Sequence, residues 1–249
     1  MRILLFDIET IPNLAYVWGK YEQDVVEFTR EWYILCFAYK WLEEKKVTTH
    51  AIWDFRTYKK DKENDKELCR KLWELFDQAD IIIAHNGNTF DIKKANARFL
   101  VHNLPAPSPY KSIDTKLVAK RYFNFNGNSL NDLGQTLKLG KKIQTGGFEL
   151  WKGCMFGDKN AWKKMIKYNK HDVLLLEKVY LKMKSWMDNH PNIGLLNGDK
   201  RACPNCGSNN VKKRGFNYSR ITSYQRYYCK TCGAWSRGEI IKTKGVQIR

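Results

Sequence analysis

Short apolar runs alternate with amphipathic stretches along most of this chain. Arg2 to Phe6 is an apolar run of strand length, and Ile11-Pro12-Asn13 breaks the chain soon after it. Ile34 to Leu42 and Val47 to Trp53 read as neighbouring strands joined by the charged turn Glu43 to Lys46. Ile81-Ile82-Ile83-Ala84 is continuously apolar, the pattern of a strand covered on both faces, and the polar turn His85 to Asn88 follows it. The period becomes helical in Glu67 to Gln78, where Leu68, Leu72, Leu75 and Phe76 point inward behind the solvated charge run Lys59 to Lys66. The same period runs from Phe90 through Ala97 and Phe99 to Val101. The longest helical pattern covers Asn160 to Met187, with Ile166, Val173, Leu174, Val179 and Tyr180 as its apolar face. This mixture predicts an α/β fold, a mixed sheet with helices packed on it, without internal repeats or low-complexity segments.

Composition divides the chain in two. Pro, Gly and Asn interrupt the helical pattern between Asn189 and Lys200, so the expected organisation is a domain at 1–190, a linker at 191–200 and a small domain at 201–249. The first part is long enough for its own core, whereas the last is too short to stay folded without a metal staple. Of the net charge of +18, residues 201–249 supply +10, from eleven Lys and Arg against the single acid Glu239. No run of about 18 apolar residues and no signal peptide is present, which predicts a soluble, intracellular protein without a membrane partner.

Three short acidic motifs carry the candidate chemistry. Asp7 and Glu9 in Phe6-Asp7-Ile8-Glu9-Thr10 share one face of a strand while Ile8 points into a core. Asp91 follows Asn86-Gly87-Asn88-Thr89-Phe90 near a helix N-terminus, and Tyr168 and Asp172 lie four apart on one helical face. Each has a plainer reading by itself: a strand end in solvent, a dipole partner beside the hydrogen-bonded loop residue His85 and the turn former Asn86, and a polar pair on a helix surface. Converged, the four carboxylates suit two divalent cations that hold the attacking and leaving oxygens of a phosphodiester.

In this order the motifs closely resemble those of the DEDD superfamily of 3′-to-5′ exonucleases, over roughly residues 1–185. Asn86 with Phe90-Asp91, then Ser112-Ile113-Asp114-Thr115 and Asn128-Ser129-Leu130-Asn131-Asp132-Leu133, resemble most the exonuclease domains of family B DNA polymerases. One branch has His five residues before the last acid and another has Tyr four before it; Lys167 and Tyr168 stand there, so the Tyr branch is implied. The resemblance implies a ribonuclease H-like fold and two Mg²⁺ or Mn²⁺ ions on Asp7, Glu9, Asp91 and Asp172, with Asp7 bridging. Tyr168 would hydrogen-bond the attacking water or the scissile phosphate, and Asn86 and Phe90 would line the substrate cleft. Asp114 is expected as a helix cap. Lys138 to Phe148, with Lys141-Lys142 and Gly146-Gly147, is either a mobile loop over the substrate or a plain surface loop.

Cys203-Pro204-Asn205-Cys206 and Cys229-Lys230-Thr231-Cys232, each followed by Gly, suit one tetrahedral Zn²⁺ in a zinc ribbon with strands such as Ser223 to Tyr228. Disulfides or redox thiols are the alternative. Lys212-Lys213-Arg214 and Arg226 resemble zinc ribbons of transposases and other phage or mobile-element proteins, and Phe216, Tyr218, Tyr224, Tyr227, Tyr228 and Trp235 interleave with the basic residues. Cations with exposed rings suit single strands, while some of the rings form the ribbon's own small core.

The expectation is a 3′-to-5′ exonuclease releasing nucleoside 5′-monophosphates from a single-stranded or frayed end, DNA favoured over RNA, with a separate polymerase or replication or recombination protein as the partner of any proofreading role. An exoribonuclease, a structure-specific nuclease, an idle nucleic-acid-binding adaptor and a ribbon that docks a protein are the competing readings. Cys36, Cys69 and Cys154 are expected as packing residues.

Overall fold

The structure, a computed structural model, describes residues 1–21, 24–188, 190–196, 198–219 and 222–241. Asn189 of the expected junction, Arg220 and the basic residues 242–249 lie outside the described residues. The chain divides into two compact units, residues 2–180, and residues 181–249 together with Met1. That division falls earlier than the expected domain end at residue 190.

The first unit runs β1 (Ile3–Thr10), β2 (Leu14–Tyr16), β3 (Glu27–Arg30), β4 (Ile34–Trp41), β5 (Thr48–Ala51), α1 (Lys66–Gln78), β6 (Ile81–Ala84), α2 (Asp91–Val101), β7 (Lys111–Asp114), α3 (Thr115–Tyr122), α4 (Leu130–Thr136), α5 (Glu149–Phe156) and α6 (Lys159–Met183). Five strands form one sheet in the order β5-β4-β1-β6-β7. The central strand β1 is antiparallel to β4 and parallel to β6, the mixed α/β sheet that the pattern predicts. Every residue of β6 is buried, as its unbroken Ile run requires. In β1 the alternation is clean at the end that matters: Ile8 is 3% exposed in the core, and Asp7 and Glu9 are half-buried on the other side.

Helix ends follow their local chemistry. Asp114 caps α3 by accepting from the Lys116 and Leu117 N–H groups, and it also takes the Asn86 and Asn88 N–H groups at 2.9 and 3.1 Å. Ser129 and Asp132 form a capping box on α4. Buried Asp65, just before α1, accepts from Ile34 N–H at 2.9 Å and from Arg98 Nε at 2.8 Å, which ties α1 to β4 and α2.

Some expectations need correction. On α6 the buried face is Trp162, Met165, Val173, Leu176, Val179 and Tyr180, whereas Leu174 is exposed and Ile166 only half-buried, because both border an open surface groove with Ile143. Regular helix ends at Met183, before a tighter turn over Lys184–Trp186. The second of the paired strands stops at Ala51 and continues as a 3₁₀ turn. The hairpin of β2 and β3, which had no clear period, exposes Leu14, Tyr16, Val17, Trp18 and Phe28.

The second unit holds α7 (Ile193–Leu196), within the expected linker, then β8 (Val211–Tyr218), β9 (Ser223–Cys229) and β10 (Trp235–Ile241) in an antiparallel sheet of order β10-β9-β8. Ile193 is buried, and its N–H donates to the Pro204 carbonyl at 2.7 Å.

Candidate metal centres

Strand β1 delivers Asp7 and Glu9, and helix α6 delivers Asp172, so that one ligand oxygen from each lies within 4.8 Å of the others. Asp91, at the first turn of α2, is 4% exposed and accepts the Ile8 N–H at 3.2 Å, between the two acids of β1. Asp172 is fully buried, and its Oδ1 has no hydrogen-bond donor. Lys142 Nζ comes within 2.6 Å of Asp172 Oδ2 as an ion pair. Asn169, fully buried one turn before Val173, donates from Nδ2 to Asp7 Oδ2 at 2.7 Å and to the Asp7 carbonyl at 3.1 Å.

Crowding makes the charged forms of Asp7, Glu9 and Asp91 costly. Burial, and then the fields of Glu9, Asp91 and Asp172, hold the Asp7 carboxyl well above its usual range. Burial and then Asp172 push Glu9 up to about 8, while the charge of Lys142 and a hydrogen bond from Trp151 pull it back. Burial raises Asp91 to about 7 against hydrogen bonds from its own and the Ile8 N–H. Acids arranged this way call for cations, and an all-carboxylate donor set suits hard divalent ions such as Mg²⁺ or Mn²⁺.

Tyr168 is buried beside the acids, and its ring packs edge-on to Trp151 at 6.2 Å. Burial, then Glu9 and Asp172, raise its phenol, which therefore stays protonated at neutral pH. Its oxygen accepts from Lys142 Nζ at 3.1 Å, leaving the phenolic hydrogen to donate elsewhere. Sequence reasoning singled out the Lys138 to Phe148 segment but not Lys142 as a site residue, and it passed over Asn169 and Trp151. Asn169 was readable, because it precedes Asp172 by three on the same helical face. Nothing local to Lys142 or Trp151 points to the acids.

Asn86 and Phe90 stand just ahead of Asp91 in the chain. Asn86 adopts a left-handed conformation (φ 65°) and its Oδ1 accepts from Thr89 Oγ1 at 2.9 Å, the role of a turn former. Phe90 is 40% exposed, with Lys94 Nζ 5.7 Å from its ring centre. Two open grooves flank the acids and share Thr145 and Gly147. One, of about 520 Å³, includes Tyr168, Lys142 and Asn131. The other, of about 690 Å³, includes Thr10, Trp32, Lys94 and Trp151.

In the second unit, all four cysteines of the CxxC pairs are free thiols that converge on one point. Cys203 Sγ and Cys232 Sγ are 3.7 Å apart, as are Cys206 Sγ and Cys229 Sγ. Zn–S bonds of about 2.3 Å put tetrahedral S···S edges near 3.8 Å, whereas a disulfide needs about 2.05 Å. Gly207 and Gly233 take φ of 74° and 73°, and their N–H groups bond the carbonyls of Cys203 and Cys229, closing two matching knuckles. A third cluster, Asp65 with Cys69 and His102, is structural, since the Arg98 guanidinium already neutralises it.

Residues 4–184 match a family model described as the RNase H superfamily. The chain therefore belongs to the RNase H superfamily, and its ribonuclease H-like domain implies a nucleic-acid-cleaving hydrolase. None of the curated proteins matches the chain.

Proposed function

We propose that the chain is a metal-dependent 3′-to-5′ exonuclease acting on single-stranded or frayed DNA ends. The observation that carries this reading is the convergence of Asp7, Glu9 and Asp172 within 4.8 Å, with Asp91 held on the Ile8 N–H beside them. Direction, products and membership of the Tyr branch rest on the resemblance of the motifs, as does the preference for DNA. The nuclease domain is proposed to span 1–190 and the zinc ribbon 201–249, joined through 191–200.

Asp7, Glu9, Asp91 and Asp172 would hold two divalent ions, which supply charge stabilisation to the attacking and leaving oxygens. Asn169 fixes the rotamer of Asp7. Tyr168, protonated, donates a hydrogen bond to the attacking water or to a phosphate oxygen and takes no proton itself. Trp151 holds Glu9 in place from the side of the larger groove. Lys212, Lys213, Arg214 and Arg226 of the ribbon would bind phosphates, and one structural Zn²⁺ would sit on Cys203, Cys206, Cys229 and Cys232.

The test is incubation with Mg²⁺ or Mn²⁺ and 5′-labelled DNA and RNA oligonucleotides whose 3′ ends are free or blocked, beside an Asp7→Ala control. A ladder shortening from the free 3′ end, absent from the control, is expected. Cleavage of blocked or circular strands would replace the exonuclease with an endonuclease, and binding without cleavage would leave an adaptor.

A further inference from the structure

The three strands of the second unit sort their side chains unevenly. Along β9, Tyr224, Arg226 and Tyr228 alternate with Gln225 and Tyr227 and so share a face. Across the ladder, Trp235 and Lys212 pair with Tyr228, and Arg237 pairs with Arg226, which puts them on that face too. The opposite face carries Lys213, Phe216, Tyr218 and Tyr227. One face is therefore a checkerboard of rings and cations, and the other mixes rings with Ser223, Gln225 and Ser236 and has Lys213 as its cation in the paired ladder.

The register takes the ribbon's own acid out of the ladder position beside the cations. The only acid of residues 201–249 is Glu239. A register shift between Arg237 and Ile240 sets Ile240, not Glu239, opposite Tyr224. The cations lie against the rings. Arg226 Cζ is 5.0 Å and Arg214 Cζ 5.8 Å from the Trp235 ring centre, and Arg237 Cζ is 4.7 Å from that of Tyr224. Trp235 and Tyr228 meet at 5.1 Å, and Trp235 remains 49% exposed. A cleft of about 610 Å³ opens here, lined by Arg226, Trp235, Arg237, His190 and Asn205 and, from the segment before the ribbon, by one acid, Asp188. Asn205 is 8% exposed, and its Oδ1 has no donor.

We infer that this face is a stacking platform for single-stranded nucleic acid, with Trp235 at its centre receiving bases and Arg214, Arg226 and Arg237 receiving the flanking phosphates. The inference rests on the proposal that the ribbon grips nucleic acid, and it assigns that grip to one face and one ring. Charge selects a polyanion, and a ring that stays 49% exposed beside its arginines, as Trp235 does, selects bases that are not already stacked in a duplex.

The full-length chain carrying Asp7→Ala, which cannot consume the probe, is titrated with a 5′-labelled single strand and with an abasic strand of equal charge. The parent should prefer the strand with bases. Trp235→Ala should lose that preference, with affinity for the normal strand down roughly 5- to 150-fold, the equivalent of one lost stacking contact. Its salt dependence should stay the same, whereas Arg226→Ala should lower the log–log slope by about 0.7. Trp235→Phe should restore binding, and Tyr218→Ala, on the other face, should bind as the parent does. Zinc content of one ion per chain certifies that each variant keeps its ribbon. Equal affinity for normal and abasic strands, or a Trp235→Ala variant indistinguishable from Tyr218→Ala, overturns the platform. A 3′-to-5′ ladder in the cleavage assay with either result leaves the exonuclease reading standing, so the two failures are distinct.

Discussion

Asn169 joins two elements through one amide: Nδ2 donates to Asp7 Oδ2 at 2.7 Å and to the Asp7 carbonyl at 3.1 Å, so helix α6 orients an acid that strand β1 supplies. Partners that orient a metal ligand are worth about 10- to 100-fold in affinity or activity. Asn169→Ala should raise the Mn²⁺ concentration for half-maximal cleavage by that order while leaving single-strand binding alone. An unchanged metal dependence would show that Asp7 needs no such support.

Replacing Asp7 should stabilise the protein when divalent ions other than zinc are absent. Burial and three neighbouring acids oppose its charge, and Asp7→Asn removes that opposition. A gain of about 1–2 kcal/mol corresponds to a rise of about 2–8 °C in Tm for a domain of this size. Added Mg²⁺ should then raise Tm less than in the parent. A lower Tm for Asp7→Asn would mean that the acids are not in conflict.

Lys142 competes for the same oxygens. Its ammonium lies 2.6 Å from Asp172 Oδ2 and bonds the Tyr168 phenol. Lys142→Met should bind Mn²⁺ more tightly by calorimetry and lose thermal stability in metal-free buffer. Weaker Mn²⁺ binding would instead make the lysine a support of the ligands.

His85 gives the first unit an acid-sensitive point. Its Nε2 bonds the Asn128 carbonyl and its Nδ1 the Thr115 hydroxyl, and burial lowers it to about 4. The folded state then holds fewer protons than the unfolded state between about 6.5 and 4, so this contribution is full above 6.5 and fades as pH falls through the window. The stability difference between the parent and His85→Gln should shrink by about 1–3 kcal/mol from pH 7.5 to pH 4. A difference that does not vary with pH would refute the assignment.

Zinc removal should act on the second unit alone. Cys229→Ser with Cys232→Ser should abolish the single bound zinc and open residues 201–241 to protease, since that segment has only Cys203, Cys229 and Ala234 as its buried cluster. Resistance to protease without zinc would leave the thiols without a structural role.

What could be read from the sequence follows the range of the interactions. β1, β6 and α1 announce themselves, because burial on one or both faces imposes a period on adjacent residues. The placement of Asp7 and Glu9 on one face needs only the strand's alternation. Lys142 and Trp151 reach the acids through loop geometry and the packing of α5, which leave no period behind. The α6 face was misjudged at Ile166 and Leu174 because an apolar side chain lining a surface groove looks the same in sequence as one in the core. In the ribbon, alternation alone parts Tyr227 from Tyr228, but which residues of β8 and β10 join each of them depends on strand register.

The hairpin of β2 and β3 has a bearing on local opening. Two strands alone are barely self-supporting, and this pair leaves Leu14, Tyr16 and Phe28 in solvent. Its amides should take up deuterium early, among the first in the chain to do so. The spread of exchange toward the acids meets a stop at Ile11, 1% exposed, whose N–H is held by the Tyr33 carbonyl at 3.2 Å. Ile11 thus stands between the exposed strands β2 and β3 and the strand that carries Asp7 and Glu9, and exchange that begins in the hairpin should stop there.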